Sequence, residues 1–510
     1  MSIKKISLRF VLIFSALSIG SCAIVEHQIA QHSGASTDLV DTKNIADSAK
    51  ALAITNVNVL SPDSSRMLTN QTVLIRDGKI IEVANHLAVS KEFKVIDGKD
   101  KYLIPGLIDT HVHLWRSKND LLLYLANGVT HIANMSSLTD NTYLKWRTQA
   151  QNGALSPQIY VAAGGMSSKK GFMVSLKTLF GESKGYNTAS EARAAVRKFK
   201  NEGYDGIKAY NVNPEAFFAL NDEAIKTGIP VVGHLAGELT LEDLYNSGQS
   251  QLAHVEEIVK ASMREFGGLT YTNGDQYLEY ITEKAEQIAV RVKQNNIVVS
   301  STIWLMESLP KQRYDTHNFL KTIELEYQNP GIIEGSWLAP GWLPGDNNYQ
   351  AQVEGFSPAR IEKSKRTTDI YVAAIHIMLK ALAQNDVLIT AGTDANSPGT
   401  VPGFSFHDEL ESLNNAGLTN TQVLQSATLA PAQWLNANSG MIAKGYRADL
   451  VLLTENPLED IRHTRSIQAV ISSGKYLTRE SLDTLLNKVK TANKESRKFD
   501  IGLFSEPLNQ

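Results

Sequence analysis

Apolar and polar residues alternate over 53–60, 72–75 and 79–83, which puts successive side chains on opposite faces and predicts strands. Arg76-Asp77-Gly78 between the last two predicts a hairpin turn. From residue 107 the pattern changes to short apolar runs separated by helical stretches, the mark of parallel βα units. Eight such runs fall at 107–114, 129–134, 158–163, 206–209, 230–234, 251–255, 297–303 and 387–391. Eight units close a (β/α)8 TIM barrel, an α/β fold whose active site forms at the C-terminal strand ends. Two later runs, 445–453 and 467–471, read as strands that return to the first ones, with Ser473-Gly474-Lys475 as a turn.

The expected organisation is a barrel over 107–440 and a small discontinuous β-sandwich domain from both ends of the chain, 51–106 and 441–480. An insert at 304–366 carries Trp304, Trp337, Trp342, Tyr349 and Phe356, and reads equally well as a lid or as a structural cap. Residues 22–50 are polar beyond Cys22 and lack strand periodicity, so they read as a tether. The tail, 481–510, reads as helical or frayed.

Composition narrows the class. A chain of 510 residues, 43% hydrophobic and 20% charged, is globular, and its net charge of −3 gives no footprint for nucleic acid. Lys4, Lys5 and Arg9 precede an apolar run, 10–19, that is too short to span a bilayer, and small residues follow it. That is a secretory signal, 1–21, whose removal takes away three cations and lowers the charge to −6. Cys22 is the only cysteine, which excludes an internal disulfide. Ile19-Gly20-Ser21-Cys22 resembles the lipobox of bacterial lipoproteins. The resemblance implies a diacylated Cys22 as the mature N-terminus. With Ala23 following, it also implies an outer-membrane anchor, the protein facing the periplasm or the outside. An ordinary signal with an incidental cysteine is the alternative.

The candidate chemistry sits at strand ends. His111 and His113 are two apart in the first barrel strand, so both imidazoles face one place and suit a divalent metal. Lys208 closes an apolar fourth strand, where burial lowers a lysine's pKa. It is either a salt-bridged lysine or an amine neutral enough to take up carbon dioxide. His234 and His254 end the fifth and sixth strands, and Asp394 follows the eighth. Tyr210 faces the same way as Lys208 and is a candidate substrate contact or a packing residue; His407 is a further candidate partner of the site.

Together the motifs Pro105-Gly106-Leu107-Ile108-Asp109-Thr110-His111-Val112-His113, Gly206-Ile207-Lys208, Thr390-Ala391-Gly392-Thr393-Asp394 and Ala448-Asp449-Leu450-Val451 resemble the metal-dependent amidohydrolase superfamily, closest to its imidazolonepropionase-like and prolidase-like branch. The resemblance spans about residues 52–478, and the insert is where the pattern is not matched. It implies that His111, His113 and Asp394 hold one divalent cation, that His234 and His254 hold a second, and that N6-carboxylated Lys208 bridges them. Zinc is the favoured metal. The implied reaction is hydrolysis of an amide or peptide bond in a dipeptide or N-acyl amino acid by a metal-bridging hydroxide, with Asp394 as the proton carrier. Mononuclear deaminases of the superfamily lack the bridging lysine. Ring opening of a cyclic amide, as in imidazolonepropionase or dihydropyrimidinase, is the alternative enzyme, and a non-catalytic surface lipoprotein is the alternative class. The superfamily also implies homo-oligomers, although no patch in the sequence points to one.

Overall fold

The structure is a computed structural model. It describes residues 30, 34–47, 50–135, 141–168, 185–336 and 339–504. The signal segment, Cys22, Trp337 and the end of the tail lie outside the described residues.

Sixteen strands form two sheets. The chain opens with β1 (Ala51–Leu60), β2 (Met67–Arg76), β3 (Lys79–Asn85), β4 (Lys94–Asp97) and β5 (Tyr102–Pro105). The barrel follows as β6 (Leu107–Val112), β7 (Val129–Asn134), β8 (Gln158–Ser167), β9 (Gly206–Asn211), β10 (Val231–Gly233), β11 (Gln251–Leu252), β12 (Val298–Ser300) and β13 (Ile389–Thr390). The chain then returns through β14 (Leu450–Leu453), β15 (Ile467–Ser472) and β16 (Lys475–Thr478). The turn between β2 and β3 has positive φ at Asp77 (48°) and Gly78 (72°), which gives the twist an antiparallel pair needs.

The first and last strands form one sheet in the order β16-β15-β14-β5-β1-β2-β3, with β4 beside β1. The sheet curls so that β3 meets the approach to β14: Ile80 N donates to Tyr446 O and Ala448 N to Gly78 O. Leu52, Val73, Leu103, Leu450 and Ile471, from both halves, close on one small core. The discontinuous small domain is therefore built as the alternation implied.

All eight barrel strands fall where the apolar runs placed them, in sequence order from β6 to β13 and parallel throughout. Hydrogen bonds between the first and last strands draw the barrel shut. Thr110 N donates to Ala391 O (3.0 Å), Asp394 N to His111 O (2.8 Å) and His113 N to Ala395 O (3.1 Å). The insert is helical, with segments Ile303–Tyr314, Thr316–Leu320, Pro330–Glu334 and Asn348–Ala351. Trp342 is buried, and Trp304 and Tyr349 pack against the main core.

One end of the chain differs from expectation, and the other takes the helical form of its two expected readings. Residues 34–47 are docked rather than a free tether, held by hydrogen bonds to their backbone and by Val40, Ile45 and Ala46 packed on the main core, a spacing with neither a strand nor a helix period. The tail is not frayed over 479–496: helix Arg479–Ser496 buries Leu482, Leu485 and Val489, one stripe at helical spacing. Leu485→Ala should therefore cost about 2–5 kcal/mol. It should appear as a lower thermal midpoint with early proteolysis in residues 34–47, whereas Thr491→Ala, on the exposed side, should leave both unchanged.

Candidate metal centre

The barrel brings five strand ends to one place. His111 Nε2 lies 3.0 Å from Lys208 Nζ and 3.4 Å from Asp394 Oδ1, and His113 Nε2 lies 2.7 Å from the same carboxylate oxygen. The His254 ring sits 4.5 Å from the His111 ring and 4.7 Å from the His234 ring, centroid to centroid. Ligand atoms of His111, His254 and Asp394 lie within 4.8 Å of one another. His111, Lys208, His254 and Asp394 are all buried. The six groups named from the sequence thus converge.

The electrostatics suit a cation. Burial holds His111 and His254 well below the usual imidazole range, reinforced by Lys208 and His254 at His111 and by His234 and Lys208 at His254. Burial also brings Lys208 down to about 7, against the pull of Asp394 and Glu257. At Asp394 burial opposes ionisation, but His113 and the other imidazoles outweigh it and hold the carboxyl well below its ordinary value. His111, His254 and Asp394 are thereby held in the deprotonated form that a divalent ion requires. His111 Nε2 and Lys208 Nζ face each other across 3.0 Å, and Asp394 Oδ1 finds no hydrogen-bond geometry among its neighbours. A buried carboxylate oxygen left in this way among imidazoles fits a bound cation.

Ring orientation is set from behind. Glu257 accepts from His234 Nδ1 at 3.1 Å, and a carboxylate held down to about 2 can only accept. Against the cost of its burial, the His234 bond and the nearby Lys260 ammonium keep Glu257 ionised. Thr302 Oγ1 donates to Ser301 O, so it accepts from His254 Nδ1 at 2.7 Å. Both rings therefore turn Nε2 inward. Ser397 Oγ donates to Asp394 Oδ2 at 3.0 Å. Asp109 accepts from Thr393 N, Thr393 Oγ1 and His111 N, tying the first strand to the last loop.

The backbone is strained here. His254 (φ 70°), Thr302 (49°) and Asp394 (57°) occupy the left-handed region without being glycine. A Cβ on Gly233 would sit 1.9 Å from Ala209 O, so only glycine lets β10 approach β9 beside His234 and Lys208.

Tyr210 stands at the rim, half-exposed, its ring edge-on to His234 at 4.6 Å. His407 is not in the site. Its Nδ1 pairs with Thr464 Oγ1 (2.9 Å) and its Nε2 with Asn127 O (3.1 Å), so both ring nitrogens are used in holding helix Phe404–Asn415 to its neighbours. Glu257, Thr302, Ser397 and Asp109 were not singled out from the sequence. Glu257, three residues after His254 in a helix start, is the one that spacing could have flagged.

A closed parallel barrel with a histidine, lysine and aspartate cluster at its C-terminal mouth defines a barrel hydrolase of the metal-dependent kind. The amidohydrolase family model matches residues 102–477, and the chain belongs to that family. It is 24% identical over 464 residues to a 5'-deoxyadenosine deaminase of Methanosphaera stadtmanae, covering 87% of this chain and 96% of the relative. Among solved structures it is similar to a bottromycin amidohydrolase (TM-score 0.68, 20% identity, 91% of this chain and 96% of that one). It is also similar to a Xaa-Pro dipeptidase with methionine bound in the active site (TM-score 0.59, 17% identity, 84% of this chain and all of the other). The chain is accordingly a hydrolase acting on carbon–nitrogen bonds.

Removing the partner behind His234 tests the orientation argument. Glu257→Ala should weaken metal retention by roughly 10–100-fold in chelator competition. Glu257→Gln, which keeps an acceptor oxygen, should lose less.

Proposed function

We propose that this chain is an exported, lipid-anchored amidohydrolase that cleaves an amide or peptide bond in a small substrate, a dipeptide or an N-acyl amino acid. The observation that carries the reading is Lys208, fully buried among imidazoles at the end of β9. Burial keeps much of its amine neutral near pH 7, and a neutral amine adds to carbon dioxide to give a carbamate and a proton. In that form Lys208 would offer one oxygen to each of two cations, zinc being favoured by the mixed nitrogen and oxygen donors. His111, His113 and Asp394 would hold one cation, and His234 and His254 the other. Such a pair, when bound, supplies an acidified water and polarises the carbonyl under attack.

The chain's own groups do the rest. Asp394 is positioned to take the proton of the attacking water on Oδ1 while Ser397 steadies Oδ2, and then to pass that proton to the leaving nitrogen. Burial first, then the Asp394 charge, raises the Tyr210 phenol, so it stays protonated and can donate to a substrate carboxylate at the rim. A second reading, hydrolytic loss of ammonia from an aminopurine, is favoured by the deaminase relative. The lysine speaks against it, since a single-metal site needs no bridge.

The test is metal content with two substrate panels. Protein lacking residues 1–22 should carry about two equivalents of zinc and release amino acids from dipeptides or N-acyl amino acids. Lys208→Met should hold about one equivalent and lose more than about a hundredfold in kcat/KM. One equivalent in the parent, with ammonia released from aminopurines and no amide cleavage, would replace this reading with the second.

A further inference from the structure

Residues 34–47 run antiparallel along the C-terminal helix. Asp47 exchanges backbone hydrogen bonds with Tyr476 (3.0 and 2.9 Å), Ser481 Oγ donates to Ile45 O (2.8 Å) and Lys488 Nζ to Asp41 O (2.8 Å). At the far end Thr37 Oγ1 meets Ser496 Oγ at 3.2 Å. The pairing follows the whole of helix Arg479–Ser496, about 27 Å at 1.5 Å per residue, from the small sheet to the barrel mouth.

Asn329 shows that the mouth is where this strap ends. It is buried, and its Nδ2 donates to Gly34 O (3.2 Å), Thr37 Oγ1 (3.3 Å) and Ser117 Oγ (3.0 Å). Ser117 Oγ donates to Asp120 Oδ1 (2.6 Å), and Asp120 Oδ2 accepts from Asn396 Nδ2 (2.9 Å). Asn396 Nδ2 also donates to the carbonyl of His113 (2.7 Å). An unbroken hydrogen-bonded chain thus joins the N-terminal strap to the backbone of a candidate metal ligand.

Geometry then limits how the domain can sit. Ala35 N donates to Ala30 O, and only seven residues lie between Cys22 and Ala30, so the two are at most about 28 Å apart when fully extended. A folded chain of this length is about 60 Å across, from a radius of gyration near 23 Å. Around the strap's end the surface carries Leu39, Phe499 and Leu503, at 65%, 55% and 77% exposure. Leu39 is two residues from Thr37, and Phe499 and Leu503 are three and seven residues past the Ser496 that meets Thr37.

We propose that the side of the barrel bearing its mouth is apposed to the bilayer that anchors Cys22, with Leu39, Phe499 and Leu503 seated in the headgroup layer. Single exposed apolar residues are ordinary, but three beside a short lipid tether form a shallow membrane contact that adds to one anchor. The proposal rests on the lipid-anchor part of the function reading and is independent of the substrate.

The full chain, expressed with its signal, is reconstituted in phosphatidylethanolamine and phosphatidylglycerol vesicles. Acylation is read by mass spectrometry, and retained zinc and amide hydrolysis report folding. With Cys22 acylated, Leu39→Cys, Leu503→Cys and Asp100→Cys each supply one thiol for a fluorescent label. Asp100 lies ahead of β5, which leads into the bottom of the barrel. Brominated lipids are expected to quench most of the emission at 39 and 503 and none at 100. Acylated protein with no quenching at 39 and 503, or with equal quenching at 100, overturns the orientation and leaves the anchor standing. A chain that is not acylated and stays in the aqueous phase overturns both, without touching the amide-hydrolysis result.

Discussion

The structure turns on one short contact, the 3.0 Å approach of the buried Lys208 amine to the buried His111 imidazole. Two basic nitrogens placed that close, with His254 beside them, repel once both are protonated. A protein gains nothing from such a placement through packing alone, because an apolar pair there would be cheaper to bury. The arrangement makes sense when the nitrogens share positive charge supplied from outside. Three left-handed residues at the same site, His254, Thr302 and Asp394, show backbone strain held in place by the surrounding fold.

Holding those groups together is the work of the barrel's closure. The bonds from Thr110, His113 and Asp394 across the first and last strands set His111, His113 and Asp394 in one register. Asp109 pins the same junction from beneath through Thr393. Gly233 lets the fourth and fifth strands approach closely enough to bring Lys208 and His234 to one side. Because the six groups come from five strand ends, displacing one of those strands would break up the donor set.

Much of this was legible in the sequence because parallel strands carry a simple signal. Each barrel strand is a short apolar run, and the polar residue at its end must face the mouth, so His111, Lys208, His234, His254 and Asp394 could be placed by counting. Glu257 and Thr302 escaped because their roles depend on which ring they face, a contact between consecutive units rather than a spacing within one. His407 misled for the opposite reason: a histidine close after the eighth strand looks available, yet it is spent on Thr464 and Asn127. The strap at 34–47 was invisible because carbonyls, small polar groups and three irregularly spaced apolar residues, Val40, Ile45 and Ala46, hold it, and those leave no period. The stripe of Leu482, Leu485 and Val489 was present all along at helical spacing.

That strap changes what the N-terminal region means. A flexible tether would let the barrel tumble freely over its anchor, and the substrate would arrive from bulk solvent alone. A strap bonded along a whole helix and ending beside Asn329 converts most of that length into part of the domain. The residual reach is then less than the domain's own width, so anchoring a chain at one end also orients it. The same hydrogen bonds from Asn329 through Ser117, Asp120 and Asn396 to the His113 carbonyl brace the loops that carry the metal-centre residues. One polar network thus ties the N-terminal strap to the loops that carry the candidate metal ligands, because both meet at the C-terminal ends of the same strands.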